Sequence, residues 1–61
     1  MASFEVVADN GKTPIVDEVY YEYATAHTKT VALSKKYLYV SLYKNNRLIE
    51  EYGPNEKVIV E

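Results

Sequence analysis

Seven tyrosines are the residues best equipped to do something in this 61-residue chain. They fall in two groups: Tyr20, Tyr21 and Tyr23, then Tyr37, Tyr39 and Tyr43, with Tyr52 following. A tyrosine offers a large contact area at low entropic cost and keeps a polar tip, which suits core rims, protein docking and base stacking. Lys35, Lys36, Lys44 and Arg47 surround the second group. Aromatic platforms beside cations are what a single-stranded nucleic acid needs.

The inventory for catalysis is thin. His27 is the only histidine and stands among Thr25, Thr28 and Thr30 without a recognisable nucleophile motif. The chain has no cysteine, so it can build neither a disulfide nor a thiolate metal site. Asp17, Glu18 and Glu22, or Glu50 and Glu51, have oxygen ligands but match no calcium-loop spacing, and they read as solvated charge. Gly11 and Gly53 are the only glycines, too few for a phosphate-cradling loop. The expectation is therefore a non-enzymatic protein with no catalytic residue, no metal and no cofactor.

Charge sharpens the choice between partners. The net charge is −2 and the pI is near 5.3, but the distribution is uneven. Residues 25–49 contain five bases and no acid, whereas both flanking segments are acidic. A basic middle could attract phosphates, yet an acidic fold surrounding it weakens the sequence-independent term that dominates such binding. Nucleic acid stays as the alternative, with Lys35, Lys36, Lys44 and Arg47 as its contacts.

These residues must be positioned by a single small domain spanning 1–61. Hydrophobic residues make up 48% and charged residues 26%, ordinary values for a chain that folds. No apolar run approaches the roughly 18 residues that cross a bilayer. The start at Met1 lacks a basic region followed by an apolar stretch, so a cytoplasmic protein with no membrane contact is expected. A domain this small hides only about 60% of its unfolded surface, and without disulfides or metals self-association is the remaining aid.

The clearest elements lie between Tyr37 and Tyr52. Tyr37–Tyr43 has the aromatic and branched content of a strand, Asn45-Asn46 tolerates the positive φ of a tight turn, and Arg47–Tyr52 returns as its partner. With the turn on Asn45-Asn46, regular alternation sends Leu38, Val40, Leu42 and Ile49 to one face, with Glu51 toward its end. The other face receives Tyr37, Tyr39, Tyr43, Leu48 and Tyr52, with Ser41 and Glu50 among them. A slip of one residue would reverse the returning strand.

Upstream, Phe4–Ala8 reads as a strand leading into an Asn10-Gly11 turn. Pro14 has no N–H for a ladder, so the next strand is an edge, is bulged, or starts later. Ile15–His27 fits either a strand or a helix with Val16, Val19, Tyr20, Tyr23, Ala24 and His27 on one face; its Val, Ile, Tyr and Thr content favours the strand. Thr28–Ser34 alternates as a further strand, Gly53-Pro54-Asn55 is a turn, and Lys57–Glu61 is a last short strand.

The expected fold is all-β: a small antiparallel sheet of about five strands, curled into a partly open barrel or packed face to face in a dimer. The alternative is α+β with a helix at about 14–27. The expected function is a small accessory or regulatory protein-binding module. Its interaction surface is the face of Tyr37, Tyr39, Tyr43, Tyr52 and Leu48, and its partner is a protein, with a second copy as the leading candidate.

Overall fold

The structure, a computed structural model, describes residues 2–53 and the backbone of residues 57–59. Strand β1 spans Phe4–Asp9, β2 Pro14–Tyr20, helix α1 Tyr23–Ser34, β3 Tyr39–Lys44, β4 Arg47–Tyr52 and β5 Lys57–Ile59. The strands form one sheet in the order β2-β1-β3-β4-β5, every described pair antiparallel. Four strands have six or seven residues and the fifth has three. The sheet is open, with β2 and β5 at its two edges, so the expected barrel is not formed. Of the turn expected at Gly53-Pro54-Asn55, the part from Pro54 onward lies outside the described residues, as do Val60 and Glu61 of the last strand.

The helix follows from topology. Because β1 runs antiparallel to both β2 and β3, those two strands are parallel to each other, and joining them requires a crossover of a dozen or so residues. The twelve residues of α1 make that crossover and lie over β1, β3 and part of β2. This corrects three expectations: Thr28–Ser34 is helix and not strand, the strand favoured for Ile15–His27 ends at Tyr20, and the helix of the α+β alternative sits at 23–34 and not at 14–27. Ala24, Ala26, Ala32 and Leu33 supply helix propensity. Thr28 and Thr30 oppose it mildly; their hydroxyls donate to the carbonyls of Ala24 and Ala26, each at 2.8 Å, which gives the buried Thr30 hydroxyl its partner.

Ala26, Thr30 and Leu33 form the buried stripe of α1, at the spacing that puts residues on one helix face. They pack on Phe4, Val6, Ala8, Val40, Leu42, Ile49 and Tyr52. Fully burying a side chain such as Val6 or Leu42 stabilises the fold by about 1.5–3 kcal/mol.

Two bulges shape the sheet. In β2, Asp9 pairs with Pro14 and Ala8 with Val16, leaving Ile15 as the extra residue at the edge, as the missing N–H of Pro14 implies. In β4, Tyr43 pairs with Leu48 but Leu42 with Glu50, so Ile49 is extra. The hairpin turn is on Asn45-Asn46, as expected, with φ of 49° and 69°.

Candidate functional site

The bulge at Ile49 redistributes the side chains that regular alternation would have placed. Leu48 stays opposite Tyr43 on the helix-free face, but Ile49 and Glu50 are both buried, Glu51 is exposed and Tyr52 is buried again. Glu50 and Tyr52 therefore belong to the helix side and Glu51 to the open side, the reverse of the expected assignment. Leu38, expected inside, precedes β3 and is exposed.

This leaves the expected interaction residues on different parts of the molecule. Tyr39, Tyr43 and Leu48 share the helix-free face. Tyr52 is 7% exposed under the helix, and Tyr37 packs against the core rim between α1 and β3. The helix-free face can be written in rows across the strands, about 4.8 Å apart. One row is Val19, Glu5, Tyr43, Leu48; the next is Asp17, Val7, Ser41, Glu51; a third holds Asp9 and Tyr39. Val19 is 50% exposed and Tyr39 43%. The ring of Tyr39 lies against Gly11, whose φ of +94° disfavours any residue with a side chain.

The face is electrically one-sided. Among the described residues it bears Glu5, Asp9, Asp17 and Glu51 and no base. A hydrogen bond with Asp17, reinforced by partial burial and by the Asp17 charge, lifts the Glu5 carboxyl above its usual range.

The four cations named as nucleic-acid contacts do not gather on it. Lys35 and Lys36 follow α1, and the Lys36 ammonium sits 5.8 Å from the centroid of the Tyr37 ring. Lys44 and Arg47 face each other at the far end of β3, about 17 Å along the strand, with the Lys44 ammonium 5.9 Å from the Phe4 ring centroid on the helix side. Acidic rows occupy the open face between the two ends.

A second cluster centres on a residue that the sequence pattern does not single out. Glu50, only 1% exposed, receives three donors from α1 and β4. His27 Nδ1 lies 2.8 Å from Oε1, the Tyr52 hydroxyl donates to the same oxygen at 3.3 Å, and the Tyr23 hydroxyl donates to Oε2. Tyr23 and His27 stack with ring centroids 5.4 Å apart, and Tyr23 meets Phe4 edge-on. Burial first, then the Glu50 charge and hydrogen bond, raises the Tyr52 phenol above its ordinary value. Tyr23 and His27 are four apart, a spacing that the helical reading already put on one face; the inward turn of Glu50 had no such signal.

Chemically, this cluster resembles an oriented histidine, but both oxygens of its carboxylate are engaged by the protein. The arrangement ties the helix to β4. Among the described residues no group of three acidic or histidine side chains could hold a metal ion, and no helix is long and apolar enough to cross a membrane. Comparison with known proteins finds no family model, no curated protein and no solved structure that matches the chain.

Proposed function

We propose that this chain is a small non-enzymatic protein-binding module with an accessory role, and that it docks through the helix-free face of its sheet. The observation carrying the reading is that α1 covers one side of the sheet only, leaving Val7, Val19, Tyr39, Tyr43 and Leu48 together on the other. A sheet face on which apolar and aromatic side chains are interspersed with carboxylates has the composition of an interface. The buried, fully engaged carboxylate of Glu50 supports a structural role for the one histidine-containing cluster.

The split of Lys35 and Lys36 from Lys44 and Arg47 removes the continuous cationic track that a single strand of nucleic acid follows. The test is amide chemical-shift mapping combined with sedimentation across a dilution series. Shifts on β1, β2 and β3 residues of the open face when a partner protein is added support the reading. Shifts confined to the helix side would overturn it. So would salt-sensitive binding of a single-stranded oligonucleotide centred on Lys44 and Arg47.

A further inference from the structure

We propose that the helix-free face receives a cationic protein surface, one that intersperses lysine or arginine side chains with apolar ones, and does not receive a second copy of this chain. The inference rests on the docking reading above and concerns only what fills the face. Its first support is the one-sided charge. Glu5, Asp9, Asp17 and Glu51 share the face with Val7, Val19, Tyr39, Tyr43 and Leu48. The bases of the described residues lie elsewhere: Lys12 in the β1–β2 turn, Lys29 on the helix, Lys35 and Lys36 after it, Lys44 and Arg47 at the end of the β3–β4 pair, and Lys57 at the register position opposite Tyr52.

A two-fold contact brings the same patch against itself, so a copy of this chain would press two acidic faces together, each bearing Glu5, Asp9, Asp17 and Glu51. A head-to-tail contact, acidic face onto basic helix side, avoids that clash but exposes another acidic face on each added copy and does not close. Two of the carboxyls already crowd each other within one chain: Glu5 and Asp17 are diagonal neighbours on the paired strands β1 and β2, and the contact lifts the Glu5 carboxyl above its usual range. A partner cation between them relieves that crowding, whereas a third carboxylate adds to it. The open edge of β2 carries Asp17 on this face, which discourages a second copy from pairing strand to strand; its neighbour Glu18 turns to the helix side, where Lys29 lies 3.8 Å away.

The test uses the isotope-labelled full chain and three short soluble peptides: alternating leucine and lysine, leucine and glutamate, and leucine and serine. The lysine peptide should shift amides of Glu5, Val7, Val19, Tyr43 and Glu51, and binding should weaken with salt. Its affinity should fall at least about tenfold for the combined Glu5→Gln, Asp17→Asn, Glu51→Gln protein, with an otherwise unchanged amide spectrum. Equal binding of all three peptides on this face would overturn the charge inference and leave the docking reading standing. Open-face shifts on concentrating the protein alone would assign the face to a second copy and overturn it as well. If no peptide perturbs the face, both readings fall together.

Discussion

Leu42 faces Glu50 across the β3–β4 pair, although Tyr43, the next residue along, faces Leu48. Ile49 is left without a partner, and β4 is turned over from Glu50 onward. Two consecutive side chains, Ile49 and Glu50, are consequently buried, and the second brings a carboxylate beneath α1. A bulge is worth its disrupted ladder where it re-aims a side chain. Here it aims Glu50 at Tyr23, His27 and Tyr52.

Removing that carboxylate should therefore cost more than removing the histidine. Glu50→Ala strands the buried Tyr52 hydroxyl and releases Tyr23 and His27, and should lower stability by about 3 kcal/mol. His27→Ala leaves the carboxylate its two phenol donors, and should cost about 1 kcal/mol. Urea unfolding of both single variants and the double variant checks this. A coupling energy of about 0.5 kcal/mol or more is expected, and additive losses would show that the 2.8 Å contact contributes nothing.

What the sequence made legible is what local chemistry decides. Asn45-Asn46 adopts the positive φ that few residues accept, so the hairpin and the pairing of Tyr43 with Leu48 followed from two residues. Pro14 announced an irregular edge by lacking a donor. The crossover helix was hidden because Thr28–Ser34 alternates well enough for a strand, and only the need to bridge β2 and β3 and cover Val6 and Leu42 selects the helix. The bulge was hidden for a similar reason: Ile49-Glu50-Glu51 reads as ordinary alternation, and the reward for breaking it is supplied by α1. Regular alternation thus places Tyr39, Tyr43 and Leu48 together, as the structure does, but sends Tyr52, beyond the bulge, to the wrong face.

Tyr52 gives the protein an alkaline limit. Its folded pKa is raised above the ordinary 10.0 by burial and by Glu50, so the folded state holds the phenol proton more tightly than the unfolded chain does. The stability linked to this proton is fully present below the ordinary value and is lost as pH rises through the folded one. Unfolding free energy should fall with pH above about 10, and the fall should be shallower in Tyr52→Phe. Equal slopes in the two proteins would assign the alkaline transition to other groups.

Glu5 acts in the same direction at the acid end. Its folded pKa lies above the ordinary 4.5 because of its hydrogen bond with Asp17, so the contribution of the shared proton is complete below that value and disappears as pH rises through the folded one. Glu5→Gln keeps a donor toward Asp17 at every pH. The variant should therefore gain on the parent as pH rises from acidic to neutral, by under about 1 kcal/mol because the site is open to screening by solvent. Denaturant midpoints measured at pH values on both sides of 4.5 decide the matter, and a difference independent of pH would contradict it.

The two turn asparagines should respond differently to glycine, although both have positive φ. Asn45 does more than tolerate the turn: its side-chain oxygen accepts the backbone N–H of Ser3 at 3.0 Å, and its own N–H donates to the Ser3 carbonyl at 2.9 Å. Asn45→Gly keeps the backbone bond and loses the side-chain one, which should cost about 0.5–1 kcal/mol net of any backbone relief. At Asn46, with a φ of 69°, the conformation itself is the main demand. Asn46→Gly should be neutral or stabilising by a few tenths of a kcal/mol, and Asn46→Ala should cost about 1 kcal/mol. Thermal unfolding of the three variants separates the roles, because a destabilising Asn46→Gly would mean that its side chain, and not its backbone, holds the hairpin.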